Sequence, residues 1–233
     1  MNLLPILEAL RDFDTALIAS TIGYIDTTPP HEYYMGGSIQ SVTPSLGPTV
    51  GIAVTCEMDT STPGSTPDLD GYFRQLDEIG NMNLPVVWVA RTVGSRPDHE
   101  CVIGDGMGKS LFAAGCLGVV TDGGVRDVSG LLSIPFAAYC KGTTIHHCAL
   151  RIQNCGEPVE IGGITIRSGE VIHANAEGVI RIPPSCLEAL PVRAIQMKAF
   201  ENAAHCVLRR TDMKSPEKRQ RVGQLLAEYG FVK

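Results

Sequence analysis

Closely spaced cysteine pairs are missing from this sequence, although it contains eight cysteines. Zinc sites and dithiol redox sites usually show a Cys-x-x-Cys pair, so neither class of site is indicated. No apolar run approaches the ~20 residues needed to span a bilayer. The amino terminus lacks a basic stretch and a small-residue cleavage site. We therefore expect a helix there rather than a signal peptide, and a cytoplasmic protein without membrane contact.

Acidic residues exceed basic ones and give a net charge of −6, so nucleic acid is not expected as a partner. The charge is uneven, because residues 193–233 hold nine Lys and Arg against four Asp and Glu. This stretch is interpreted as a solvated basic helix. A nucleic-acid patch and a surface that packs on an acidic neighbour are the alternatives. We expect a main domain over residues 1–192 and a C-terminal helical extension over residues 193–233.

Hydrophobic patterns predict an α/β order of elements. Residues 1–30 are expected to form two short helices. Further along, strands and helices alternate, with strands predicted over 50–55, 85–90, 101–103, 118–121 and 136–140, and helices over 69–79 and 107–115. The stretch 57–70, rich in Ser, Thr, Pro and Gly, is expected to be a mobile loop.

From residue 158 to 183 the pattern changes to short alternating segments separated by Gly-Gly and Ser-Gly turns, which is typical of antiparallel strands. Helices are predicted to follow over 184–190 and 194–209. The sequence therefore predicts an α/β protein with a parallel βαβ part and an antiparallel part.

The most informative stretch runs from residue 102 to 128. Asp105 follows one apolar run, and the pair Arg126-Asp127 follows the next, with 20 residues between Asp105 and Arg126. This spacing fits a βαβ crossover from strand 101–103 to strand 118–121. Because the carboxyl ends of neighbouring parallel strands share one crevice, we expect these side chains to converge. Two carboxylates and a guanidinium suit a divalent cation and an anionic substrate.

Simpler interpretations of these residues exist. Asp105 could form a turn, and the Arg126-Asp127 pair could be a surface ion pair or a helix cap. Residues 104–110 nearly match a P-loop, but only three residues separate Gly104 from Gly108, which disfavours an ATP or GTP site. The pair His146-His147 lies beside Cys148. Adjacent residues on a strand point to opposite faces, so surface or core histidines are favoured over a metal site.

These residues and their order resemble the ribonuclease-E-inhibitor-A-like superfamily. It includes the divalent-metal 4-hydroxy-4-methyl-2-oxoglutarate (4-carboxy-4-hydroxy-2-oxoadipate) aldolases. The shared pattern is an Asp, twenty residues and Arg-Asp, filled here by Asp105, Arg126 and Asp127. Flanking segments occur in the family's order at residues 35–39, 51–55, 134–137, 162–166, 168–171 and 177–180. The resemblance implies a swivelling β/β/α sandwich assembled as homotrimers or hexamers, with sites at subunit borders.

The activity so implied is a divalent-metal-dependent lyase on 2-oxo acids, which releases pyruvate by retro-aldol cleavage or decarboxylates oxaloacetate. Asp127 is expected to bind Mg²⁺ or Mn²⁺ directly, and Arg126 to hold the substrate carboxylate. The turn Gly106-Met107-Gly108 opens a helix whose free N–H groups favour an anion. By resemblance, Asp105 positions the water that protonates the pyruvate enolate.

One departure from the family pattern supports a different function. Family aldolases usually carry an acid three residues after the metal-binding Asp, where this chain has Gly130. Some relatives that lack this acid act as binding regulators of ribonuclease E. A non-catalytic binding regulator of that type is therefore the alternative to an enzyme.

Overall fold

The structure is a computed structural model that describes residues 2–147 and 149–231. The helices in these ranges are α1 (Leu3–Leu10), α2 (Thr15–Ile25), α3 (Asp70–Asn81), α4 (Asp105–Ala113), α5 (Val128–Ser133), α6 (Leu190–Leu208) and α7 (Ser215–Glu228). The strands are β1 (Gln40–Ser41), β2 (Thr49–Asp59), β3 (Val86–Thr92), β4 (Cys101–Ile103), β5 (Cys116–Thr121), β6 (Gly124–Val125), β7 (Ala137–Cys140), β8 (Gly142–Thr143), β9 (Arg151–Gln153), β10 (Val159–Ile161), β11 (Ile164–Ile166), β12 (Val171–Asn175) and β13 (Gly178–Ile182).

Parallel and antiparallel strands share one main sheet. Its order is β1-β7-β5-β3-β2-β12-β13, and β9 pairs with the far end of β2. The central strands β2, β3, β5 and β7 are parallel, whereas β12 and β13 are antiparallel. The predicted α/β fold with a parallel and an antiparallel part is confirmed.

Both faces of the main sheet are buried, as is usual for parallel strands. Alternate residues of β3 point to opposite sides, so Trp88 packs in the core cluster with α3 and α4 while Val87 and Val89 pack under the hairpin β10–β11. A third cluster joins the carboxyl-terminal helices to α1 and α2. The sheet is thus a rigid support from which loops project.

The predicted crossover between 101–103 and 118–121 is wrong in its second strand. β4 does not pair with β5; β4, β6 and β8 form a separate three-stranded parallel sheet, and β5 belongs to the main sheet. The chain leaves β4, forms α4, passes through the main sheet as β5 and returns as β6. Because Gly124 and Val125 make only a two-residue strand, no periodicity reveals it in the sequence.

Several predicted boundaries also move. β2 extends to Asp59, so residues 57–59 belong to a strand and not to the loop predicted over 57–70. The helix predicted over 107–115 begins at Asp105. The helix predicted over 184–190 is a 3-10 turn at Pro184–Cys186.

The expected border between residues 192 and 193 lies inside α6, and the two-domain division stays a prediction. Several basic residues of the extension have partners within it: Arg193 donates to Gly230 O at 2.8 Å, and Arg221 pairs with Glu228 at 2.6 Å. Among the described residues, no helix has the length and apolar character that a membrane crossing requires.

A fully buried histidine links the amino-terminal helices to the sheet. His173 on β12 lies 2.9 Å from Thr15 Oγ1 through Nδ1 and 3.1 Å from Leu10 O through Nε2. Leu10 O can only accept, so Nε2 carries the proton and Nδ1 accepts from the Thr15 hydroxyl. Burial lowers the pKa of His173 to about 4.

We expect His173 to make stability depend on pH. Its folded-state pKa is below the ordinary 6.5, so the unfolded chain binds the proton first and stability falls as pH drops from about 6.5 towards 4. The full loss is on the order of 3 kcal/mol. Urea unfolding of wild type and His173→Asn across this range measures it. The exposed control His31→Asn should behave as wild type, and a slope of equal size in all three proteins would contradict the assignment.

Candidate functional site

The carboxyl ends of β4 and β6 bring the predicted residues together. The Arg126 amide donates to Ile103 O at 2.9 Å, which places Arg126 beside the segment that leads into α4. Gly104 allows a close approach, since a Cβ atom there would lie 2.7 Å from Asp127 Oδ2 and 2.9 Å from Arg126 Nε. The convergence predicted for Asp105 and Arg126-Asp127 therefore occurs, although β6 and not β5 delivers the pair.

The Asp127 carboxylate faces Arg126 and is not used as a helix cap. Asp127 has φ 55°, a left-handed conformation that Asp tolerates better than most residues, and it precedes α5. Its side chain makes no capping hydrogen bond to α5. One oxygen, Oδ2, lies 3.3 Å from Arg126 Nε, and the side chains are 44% and 31% exposed, respectively. Part of the carboxylate thus remains open to a ligand.

Asp105 is held by a cation one helical turn away. Lys109 Nζ lies 2.6 Å from Asp105 Oδ2, in an i,i+4 arrangement on α4. This hydrogen bond, followed by smaller effects that include the charge of Arg126, holds the pKa of Asp105 below its ordinary value. Asp105 is therefore an ionised carboxylate at neutral pH.

A cavity of about 240 Å³ adjoins these groups. Asp105, Gly106, Met107 and Arg126 line it. The first turn of α4 borders this cavity, and its free N–H groups and positive dipole end favour an anion. Gly108 lies elsewhere: a Cβ atom there would be 2.5 Å from Leu131 Cδ2, so this glycine permits the packing of α4 on α5.

Gly130 lies against Asp105. A Cβ atom at position 130 would lie 2.5 Å from Asp105 Cβ and 3.0 Å from Asp105 Oδ2. In this arrangement the chain has neither an acid at this position nor space for one. Among the described residues, the candidate site therefore offers the two carboxylates of Asp105 and Asp127.

Sequence reasoning missed three contributors to this site. Lys109 lies within the near P-loop of the sequence, and its i,i+4 spacing from Asp105 is the signal of the ion pair. His146 and His147 are exposed, and both line the cavity. Their surface position was among the expected alternatives, but nothing in the sequence places them near Arg126. Cys148, the third member of that predicted group, lies outside the described residues.

The carboxylates suit a hard cation better than zinc. Within residues 2–147 and 149–231, no cluster of three or more His, Cys, Asp or Glu side chains could enclose a metal ion. Zinc sites normally need three or four such ligands. Mg²⁺ and Mn²⁺ keep several waters and need only one or two carboxylates, which the half-exposed Asp127 can supply.

Comparison with known proteins gives the family. The model of the RraA-like family, described as Aldolase/RraA, matches residues 30–181. The chain belongs to this family. The match includes both strands of the candidate site, together with Asp105, Arg126 and Asp127. The family description covers aldolases and RraA proteins alike, so membership alone leaves catalysis and regulation both open.

A relative from Halalkalibacterium halodurans, provisionally named a 4-hydroxy-4-methyl-2-oxoglutarate aldolase, is 35% identical over 99 residues. The match covers 42% of this chain and 46% of that protein, so the chain matches less than half of the relative's length.

Two solved structures have a similar fold. An uncharacterised protein from Pseudomonas syringae pv. tomato has a TM-score of 0.69 at 20% identity, covering 93% of both chains. Streptomyces coelicolor RraAS2, described as an unusual member of the RNase ES inhibitor RraA protein family, has a TM-score of 0.68 at 19% identity, covering 86% of this chain and 96% of that chain. At these identities the similarity concerns the fold alone.

Proposed function

We propose that the protein is a divalent-metal-dependent lyase that releases pyruvate from a 2-oxo acid, by retro-aldol cleavage or by decarboxylation of oxaloacetate. The observation that carries this proposal is the convergence of Arg126, Asp105 and the first turn of α4 on one cavity, while the partly exposed carboxylate of Asp127 lies 3.3 Å from Arg126, outside the lining of that cavity. The cavity of about 240 Å³ is smaller than the roughly 300–1,000 Å³ of drug-sized pockets, which suits a small acid.

Arg126 binds the carboxylate of the substrate. Its guanidinium can donate two parallel hydrogen bonds to a carboxylate, and its side chain is only 31% exposed. The amides at the start of α4 provide further donors to the same anion. Together they would orient the 2-oxo group towards Asp127.

Asp127 would hold Mg²⁺ or Mn²⁺, with water completing the coordination shell. When bound, such a cation supplies Lewis-acid stabilisation of the negative charge that develops on the 2-oxo group. Arg126 Nε, 3.3 Å from Asp127 Oδ2, orients this carboxylate.

Asp105 serves proton transfer. In retro-aldol cleavage the substrate hydroxyl passes its proton to water and becomes the carbonyl of the departing fragment, while the electron pair of the broken C–C bond forms the enolate of pyruvate. The enolate then takes a proton at C3. An ionised Asp105 can orient the water molecule that donates this proton, and the Lys109 ammonium maintains that ionisation.

The alternative function is that of a non-catalytic binding regulator. Gly130 favours it, because the acid usual in family aldolases is absent and position 130 has no space for it. Pyruvate formation from oxaloacetate with and without Mg²⁺, corrected for the rate without protein, distinguishes the two. A lyase accelerates the reaction in a metal-dependent way, and a regulator leaves the rate unchanged.

Replacing Arg126 with lysine should weaken the binding of small 2-oxo acids. The variant keeps the charge but loses the bidentate fork, at a cost of about 1.5–3 kcal/mol, or roughly 10- to 150-fold in affinity. The inhibition constant of oxalate measures this. Arg167→Lys, at an exposed position outside the cavity lining, is the matched control. Equal inhibition of wild type and Arg126→Lys would assign Arg126 another role.

A further inference from the structure

A second cavity adjoins the first. It has a volume of about 500 Å³, and His146 lines both. Its other lining residues come from three segments. The first contributes Ser61, the second contributes Arg96, Asp98 and His99, and the third contributes Thr143, Thr144 and Ile145. A ligand held by Arg126 in the first cavity could therefore extend past His146 into the second.

The segment between the two cavities is attached to the strands of the candidate site. The Thr144 amide donates to Val125 O at 3.0 Å, and its hydroxyl donates to Glu100 O at 3.3 Å. Val125 directly precedes Arg126. Thr144, two residues before His146, is thus hydrogen-bonded to the strand that leads into Arg126.

The backbone around Arg96 is fixed as well. The Arg96 amide donates to Ser61 Oγ at 2.9 Å, and the Ser61 hydroxyl donates to Glu100 Oε1 at 2.7 Å. Glu100 is wholly buried and also accepts from the Thr60 amide at 2.8 Å. The loop is thereby anchored to a buried carboxylate.

The Arg96 guanidinium itself is exposed, and within the described ranges no carboxylate forms an ion pair with it. Its backbone is held in place while its charge stays available to a ligand. Among the described residues that line this cavity, Asp98 is the single carboxylate.

We propose that Arg96, assisted by His99 and His146, binds an anionic group at the far end of the substrate and so selects an extended 2-oxo acid over oxaloacetate. This inference rests on the proposed lyase function. The first cavity holds the 2-oxo acid end, the carbon chain passes His146, and Arg96 binds the distal carboxylate. Asp98 opposes this charge and limits the affinity.

Binding of two matched probes tests the proposal. 2-Oxoadipate ends in a carboxylate, and 2-oxohexanoate carries a methyl group in its place. Isothermal titration calorimetry with Mg²⁺ present measures the affinity of both. Oxalate serves as a probe of the first cavity alone. In wild type we expect 2-oxoadipate to bind at least tenfold more tightly than 2-oxohexanoate. Arg96→Gln should reduce this ratio below threefold and leave oxalate binding unchanged. Asp98→Asn should raise this ratio. Arg209→Gln, at an exposed position directly after α6, should leave the ratio as in wild type.

The failures of the two proposals are distinguishable. If wild type binds oxalate and also binds both oxo acids with equal affinity, the role of Arg96 is overturned and the lyase function still stands. An equal loss of oxalate and 2-oxoadipate binding in Arg96→Gln also overturns it, since the effect would then not be confined to the distal group. No binding of oxalate or either oxo acid to wild type overturns the lyase function and this inference together.

Discussion

Replacing Asp127 with asparagine is expected to abolish metal-dependent pyruvate formation while leaving the protein folded. Asparagine adopts the left-handed backbone of Asp127 at little cost, whereas alanine would add strain at φ 55°. The variant keeps the shape and loses the charge that holds the cation. Because a bound metal contributes several kcal/mol to stabilising developing charge, the rate should fall about a hundredfold or more.

Calorimetric titration with Mn²⁺ checks the cause of that loss. Metal affinity should fall along with the rate in Asp127→Asn and stay unchanged in Asp77→Asn, an exposed carboxylate on α3. If Asp127→Asn binds Mn²⁺ as tightly as wild type, Asp127 is not the metal ligand and the candidate metal site is wrong.

The second large effect is expected at Asp105. Asp105→Asn retains the side-chain shape but removes the carboxylate that orients water, so turnover should fall by roughly 10²- to 10⁴-fold, as is typical for a lost acid–base group. Metal affinity should survive, because Asp105 follows β4 and is engaged by Lys109 rather than by a cation.

Lys109→Gln separates loss of the carboxylate from loss of its ion pair. An exposed ion pair contributes at most about 1 kcal/mol, so this variant should lose no more than about fivefold in turnover. A loss in Lys109→Gln as large as that in Asp105→Asn would assign the effect to the lysine instead. Loss of Mn²⁺ binding in Asp105→Asn would make Asp105 a metal ligand.

The convergence of Asp105 and Arg126 could be predicted from the sequence because the spacing of these two residues has a topological cause. Parallel strands present their carboxyl ends at one edge, so Asp105 and Arg126 converge whichever strand is the partner of β4. The partner itself could not be predicted. The apolar run 118–121 has a stronger strand pattern than Gly124-Val125. Nevertheless, β4 pairs with the shorter segment, β6.

Other features depend on packing between distant segments. β2 reaches Asp59 because Asp59 pairs with Arg151 of β9, and the buried Thr60 that follows donates its amide to Glu100, forty positions later. The closeness of Gly130 to Asp105 likewise arises only when α5 packs on α4, and that of His146 to Arg126 only when β8 pairs with β6. Such contacts leave no periodic pattern in the chain.

Exchange of the pyruvate methyl protons in heavy water, followed by NMR, tests the central claim most directly. This exchange depends only on formation of the pyruvate enolate, so it can be measured without knowing the full substrate. With Mg²⁺ present, wild type should replace these protons with deuterium, and Asp105→Asn should do so at least about a hundredfold more slowly. Wild-type protein that binds Mg²⁺ and pyruvate but never exchanges the protons would contradict the lyase and favour the binding regulator.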